Sequence, residues 1–449
     1  MSDTHAVLEE QIAQWRTYLQ RRQAIHAVDV AELEDHLREQ VAGLTEGGLA
    51  ADEAFLVAVK RMGNLDALSR EFAREHSERL WKQLVVAPAE PGAAGAVGRS
   101  DLGVAFGVAV LVGIVIKVAI LLRLTDGQYV RNASLLVLPM LTGYFAWRRA
   151  LSGRTVGLLV VAFVAAVVFA NAYPFVADGS TEVLTALHLP IALWLAVGIA
   201  YAGHRWREVA GRMDFIRFSG ELFIYYVLIA LGGGVLTGFM AMIFQAIGID
   251  IEPFFEQWMP CLVGGAVIIA AWLVEAKQSV IENMAPVLTR LFTPLVTLVL
   301  LAFLATVAWT GRGGAIERDA LIAFDGLLLL VLGLLLYALS AREADAPVGI
   351  FDRLQLVLLV SALVADAVAL AAIAGRISEF GLSPNRVAAL GVNVLLLVNL
   401  GWSTVLHARF ARGRGTFAAL EKWQTDYLPA YAAWAAIVVV VFPVVFAFA

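Results

Sequence analysis

Lys117, His188, Asp325 and Asp366 each interrupt a long run of Ala, Leu, Val, Gly and Phe, and Glu221 and Asn393 interrupt two more. An ionisable side chain held in hydrocarbon costs roughly 2.5–3.5 kcal/mol on insertion scales, so each such position is a candidate for chemistry. Arg386 precedes Asn393 by one heptad and shares its helical face. The chemistry open to this set is ion or polar-ligand binding, or proton relay. The structural alternative is a buried ion pair between Lys117 and Asp366, with His188 and Asp325 reaching the interface from positions near span ends. Glu221 is expected at the interface, facing Arg217 or the cytoplasmic loop. Motifs for phosphate cradles, zinc hydrolysis and serine nucleophiles are absent, so no catalytic residue, metal ligand or cofactor is assigned. The single cysteine, Cys261, has no partner for an intrachain disulfide.

The elements that must position these residues are membrane spans. Hydrophobic residues make up 60% of the 449, and mean hydropathy is +0.78. A soluble chain of this length does not carry that composition. The net charge of −5 gives no footprint for nucleic acid. About eleven stretches approach the roughly 20 residues needed to cross hydrocarbon, near 102–123, 132–147, 155–175, 183–203, 220–247, 255–275, 291–310, 319–340, 352–374, 385–407 and 428–448. The fifth is long and is expected to tilt or break at Gly232-Gly233-Gly234. The loops alternate in charge. Those on one side hold Arg148, Arg149, Arg154, Arg205, Arg207, Arg212, Arg217, Arg409, Arg412, Arg414 and Lys422. Those on the other hold Asp178, Glu182, Asp250, Glu252 and Glu256. Positive loops stay in the cytoplasm, which predicts an inner-membrane protein with its N-terminus inside and its C-terminus outside. On that topology Lys117, His188, Asp325, Asp366 and Asn393 lie at similar depth in the outer half and form a polar cavity. The N-terminal stretch MSDTHAVLEEQ has no apolar core of a signal peptide, so the first span directs insertion.

Residues 1–85 read as a cytoplasmic helical bundle, 86–100 as a flexible Pro/Gly/Ala linker and 101–449 as the polytopic membrane domain, giving an all-α fold. Leu8, Ile12, Trp15 and Leu19 recur at helical spacing. A second helix is predicted to start at Asp29 with Glu32 completing a capping box, and to bury Leu33, Leu37, Val41 and Leu44. A third carries Phe55 and Val59, and a fourth, capped by Asn64, carries Phe72 and Trp81. His36, between Glu34, Asp35 and Leu37, reads as part of a solvated polar face and not as a metal ligand. Gly234 and Gly238 form a small-residue pair suited to packing on Gly264-Gly265 or to a homodimer contact. Phe417, Leu420, Trp423 and Tyr427, after three arginines, predict a short amphipathic helix on the cytoplasmic surface contacting lipid head groups.

The stretch Trp15, Glu32-Leu33-Glu34-Asp35-His36-Leu37, Gly47-Gly48-Leu49, Asp52-Glu53-Ala54-Phe55, Arg61-Met62-Gly63-Asn64 and Phe72 resembles the permease-prefix domain, related to helical domains beside PadR-type regulators. That resemblance implies an adaptor or regulatory role. Gly381-Leu382-Ser383-Pro384-Asn385-Arg386 is similar to a Gly-Leu-Thr-x-Asn-Arg signature of the bacterial domain of unknown function numbered four-one-five-three, which implies a multi-span fold and no particular activity. Ser383 is placed to cap the helix that Pro384 begins. Taken together, these features lead to the expectation of a sensory or regulatory membrane protein. It would relay an envelope or ligand signal through residues 1–85 to a cytoplasmic regulator or permease partner. The alternative is a secondary transporter or ion-conducting permease using the outer polar cavity.

Overall fold

A computed structural model describes residues 8, 9, 12, 27–46, 49–61, 99–276, 284–310, 318–342, 344 and 346–449. Most of the expected linker, and Trp15, Asn64, Phe72 and Trp81 of the head, lie outside the described residues. The chain divides into two compact units, Met1–Ala96 and Val97–Ala449. All regular structure among the described residues is helical.

In the first unit α1 spans Ala27–Glu46 and α2 spans Ala51–Arg61. Ile12, Leu37, Val41, Ala54 and Ala58 form its core, because Leu37 and Val41 recur one turn apart and face the one-turn pair Ala54 and Ala58. α1 begins at Ala27, two residues before the expected start at Asp29. Arg38 donates to Glu9 at 2.6 Å and to Glu34 at 3.0 Å, and these two bonds, Glu9 foremost, raise its already high pKa. His36 is exposed and lies 3.9 Å from Glu39, on a solvated polar face. Among the described residues no group of His, Cys, Asp and Glu could hold a metal ion.

The second unit is built from α3 (Arg99–Leu121), α4 (Asp126–Arg148), α5 (Gly153–Ala172), α6 (Ser180–Ala202), α7 (Val209–Ala246), α8 (Glu252–Ala276), α9 (Met284–Thr310), α10 (Arg318–Ala341), α11 (Ile350–Phe380), α12 (Pro384–Ala411) and α13 (Phe417–Val440), with one further turn at Phe442–Val445. Each coincides with one of the apolar stretches. Among the described residues nine of these helices, α3 and α5–α12, are long and apolar enough to cross a membrane. α4 and α13 fall short of that standard because they also carry Arg131 and Asn132, and Lys422, Gln424 and Asp426. Side-chain caps set several starts: Thr125 and Gln128 form a capping box on α4, Ser152 caps α5, and Ser383 caps α12 ahead of Pro384.

Three expectations about the spans need correction. α7 runs unbroken for 38 residues through Gly232-Gly233-Gly234, about 57 Å at 1.5 Å per residue. Each glycine costs about 1 kcal/mol of helix propensity, whereas breaking the helix in hydrocarbon would leave backbone groups unpaired at several kcal/mol each. Gly234 and Gly238 meet open space and do not pack on Gly264 and Gly265, which instead admit Ile116 and the Ala109 carbonyl of α3. The segment at 417–427 is not a separate surface helix but the first turns of α13. Phe417, Leu420, Gln424 and Thr425 are buried there, and Trp423 donates to the Asn399 carbonyl at 3.2 Å.

The core has two parts. One joins α3–α8 around Val112, Phe145, Leu193, Phe218 and Ile268, and Phe145, Tyr201, Phe215 and Phe218 pack ring on ring within it. The other joins α9–α13 and the start of α7 around Leu300, Leu335, Leu359, Leu396 and Leu420. The membrane unit therefore consists of two packed bundles. α6 touches both, lying against α4, α12 and α13.

Candidate functional site

A cleft of about 1360 Å³ lies between the two bundles. α4, α6, α7 and α8 form one wall, α10, α11 and α12 the other, and Tyr431 and Trp434 of α13 line it as well. The walls are apolar through most of its length, with Val137, Leu187, Ile191, Val263, Leu329 and Val392 as examples. Its polar residues collect where α6 and α12 begin and α11 ends: Asp178, Ser180, Arg376, Ser383, Asn385 and Arg386. The joint is pinned by Asn385, which donates to the Ser180 hydroxyl at 3.1 Å. His188 and Asp325 line the cleft one to two turns further in. An apolar cavity with a clustered polar end matches an amphipathic ligand better than a small polar one.

The structure sorts the six predicted site residues into three groups. Asp325 of α10 and Asn393 of α12 are joined directly, and Asp366 of α11 lies in the same bundle. Asn393 donates to Asp325 at 2.7 Å and to the Ala389 carbonyl at 2.8 Å. Asp366 is fully buried, and neither of its oxygens has a hydrogen-bond partner. His188 and Arg386 belong to the cleft. His188 is buried, with Nδ1 on the Leu184 carbonyl at 2.9 Å. The guanidinium of Arg386 donates to the carbonyls of Phe380 at 3.0 Å and Gly381 at 2.7 Å, so it ties the end of α11 to the start of α12.

Lys117 stands apart. It donates to Gln257 at 3.1 Å and lies 4.3 Å from the Trp258 ring centre, both on α8. The expected Lys117–Asp366 ion pair is therefore not formed. α3 packs along α8 in one bundle while α11 packs on α9, α10 and α12 in the other, and matching depth does not bring the two together. Glu221 is buried on α7.

Sequence reasoning missed three buried polar arrangements. Arg131 of α4 pairs with Glu182 of α6, both nearly fully buried; Glu182 also accepts from the Asp178 amide at 3.1 Å, and Arg131 lies 4.6 Å from the Phe175 ring centre. At the opposite end Glu275 forms an ion pair with Arg148 at 3.2 Å and accepts from Arg149 at 3.1 Å, which joins α8 to the end of α4. Along α12, Asn399, Ser403 and His407 recur every four residues and are all buried. Asn399 donates to Gln424 at 3.1 Å, and Gln424 donates to Ser403 at 2.6 Å. The four-residue spacing was visible in the chain, whereas the Arg131–Glu182 pair joins two loop-like positions whose closeness no local pattern announces.

No family model, no curated protein and no solved structure matches this chain.

Proposed function

We propose that this protein is a multi-pass inner-membrane sensor or regulator whose membrane unit takes a lipid-like, amphipathic molecule between its two bundles. Its N-terminal unit passes the state of that cleft to a cytoplasmic regulator or permease. The observation that carries this reading is the cleft itself: apolar walls, with Arg376, Arg386, Asn385, Ser180, Ser383 and one carboxylate, Asp178, gathered at one end. Such an end suits an anionic or zwitterionic head group, since arginine donors match phosphate and carboxylate oxygens. The permease-prefix resemblance of residues 1–85 supports the regulatory output. A second reading, a permease, is favoured by one observation, the fully buried Asp366, whose carboxyl oxygens have no hydrogen-bond partner.

In this reading all eleven helices α3–α13 cross the bilayer, with α4 and α13 shielded by neighbours on their polar faces. The basic loops then face the cytoplasm. A cysteine introduced at Gly413 is expected to react with an impermeant thiol reagent only after the membrane is opened. One introduced at Ala177, exposed in the loop between α5 and α6, is expected to react in intact cells. Equal labelling of the two would sink the topology.

The ligand is tested by filling the cleft. Ala133 lines it and is exposed to it. Protein carrying Ala133→Trp, purified in mild detergent and extracted for mass spectrometry, is expected to lose most of the lipid that co-purifies with the wild type. An unchanged lipid content, with the same folded yield, would remove the cleft as a binding site.

A further inference from the structure

Three helix ends meet at the polar end of the cleft, and direct hydrogen bonds hold them there. Asn385, at the start of α12, donates to the Ser180 hydroxyl at the start of α6 at 3.1 Å. Arg386 follows Asn385, and its Nη1 donates to the carbonyls of Phe380 at 3.0 Å and Gly381 at 2.7 Å, where α11 ends. Arg376 stands one helical turn before Phe380 on α11, and Asp178 stands two residues before Ser180. Arg376, Arg386 and Asp178 all line the cleft. The bonded joint therefore gathers two guanidiniums and one carboxylate around the same end.

Nothing among the described residues neutralises these three charges. Arg376 and the Asp178 carboxylate form no ion pair or hydrogen bond there, and Arg386 meets only neutral carbonyls and the Phe380 ring. Arg131 of α4 does not reach Asp178, because it is already paired with Glu182, which also accepts from the Asp178 amide at 3.1 Å. Further in, Asp325 accepts from Asn393 at 2.7 Å, and Nδ1 of His188 is held by the Leu184 carbonyl. The walls beyond are apolar. Unpaired charge is thus confined to the end where the helices stop, with a hydrocarbon-like passage leading away from it.

A purely anionic head group would suit both guanidiniums but would stand against the Asp178 carboxylate. One that carries a phosphate and an ammonium suits all three, since guanidinium donors match phosphate oxygens and the ammonium meets the carboxylate. We propose that the cleft selects a zwitterionic glycerophospholipid, with its phosphate on Arg376 and Arg386, its ammonium on Asp178 and its acyl chains between the bundles. This rests on the amphipathic-ligand reading above and narrows it to one head-group class. Charge complementarity of this kind sets the choice of partner more than the strength of binding.

The test uses the full chain in mild detergent, stripped of lipid and then offered mixed micelles. These hold equal amounts of phosphatidylethanolamine and phosphatidylglycerol with the same acyl chains. The protein is repurified and extracted, and both lipids are quantified by mass spectrometry. The wild type is expected to retain phosphatidylethanolamine in about two- to fivefold excess, the range that an exposed ion pair supports. Asp178 has a φ of 57°, a left-handed conformation that asparagine also adopts readily, so Asp178→Asn should keep the fold and the total lipid but lose the excess. Arg376→Gln should lower the retained amount of both lipids. Equal retention of the two by the wild type overturns the proposal, as does the same excess in wild type and Asp178→Asn. An unchanged total in Arg376→Gln overturns it as well. The lipid reading itself fails on a different quantity, the total retained by the wild type or by Ala133→Trp. A wild type that binds both lipids without preference therefore sinks the head-group assignment alone, and one that retains no lipid sinks both.

Discussion

Glu182→Ala is expected to lower the stability of the membrane unit by about 3–5 kcal/mol, the usual consequence of leaving one partner of a buried ion pair alone. Glu182 and Arg131 are 6% and 6% exposed, so water screens the pair weakly. Glu182 also receives the Asp178 amide, and therefore holds the turn before α6 as well as α4. The same turn carries Val176 and Thr181, whose amides donate to the carbonyls of Phe448 at 3.0 Å and Ala449 at 2.8 Å. Loss of the carboxylate should thus loosen three segments at one end of the bundle. Arg131→Met with Glu182→Leu removes both charges and replaces them with apolar volume. That double variant should recover most of the loss, because the penalty lies in the orphaned charge and not in the missing attraction. Chemical or thermal unfolding in detergent measures all three. A single variant within about 0.5 kcal/mol of wild type would show that the pair is hydrated and structurally idle.

Gly391→Ala is the second large effect, expected to cost about 1–3 kcal/mol by overpacking. A β-carbon on Gly391 of α12 would meet the indole of Trp434 on α13 at 1.9 Å. The ring has little room to move, because it also stands edge-on against Phe442 with centroids 5.8 Å apart. Trp434→Leu opens that space, so Gly391→Ala should be milder in the Trp434→Leu background than in the wild type. Thermal unfolding of the four proteins gives the coupling directly. Additive losses would mean that the two positions do not touch. The same contact bears on the cleft, since Trp434 lines it; a displaced indole should also lower the lipid recovered with the purified protein.

Much of this molecule was legible before any coordinates. Runs of Ala, Leu and Val long enough to cross hydrocarbon have few folded alternatives to a helix, because backbone groups in lipid must bond within their own segment. That constraint made α3 and α5–α12 readable one by one. Ser383-Pro384 at the start of α12 was equally legible, as capping depends on residues within one turn. Asp325, Asp366 and Asn393 stood out for the same local reason: each is a polar group in an apolar run. Local rules failed where an interaction joins distant residues. Lys117 was matched to Asp366 by depth, yet helix packing placed it on Gln257 and Trp258. Gly234 and Gly238 were matched to Gly264 and Gly265 by motif, yet α3 occupies that face. The turns at 417–427 looked like a surface helix because Phe417, Leu420, Trp423 and Tyr427 recur at helical spacing after three arginines, although Gln424 and Thr425 lie among them. They are buried because Asn399 and Ser403 wait for them on α12.

The sequence by itself determined that this chain is helical and rich in membrane-length segments, and where its rare polar residues stand, because helix formation and hydrophobicity are properties of short stretches. Only the tertiary structure decided that two bundles leave a cleft, that Arg131 finds Glu182, and that Asn393 of one helix meets Asp325 of another. Those outcomes depend on which helices lie side by side, and that is settled by the fit of whole helix faces, which no single segment encodes.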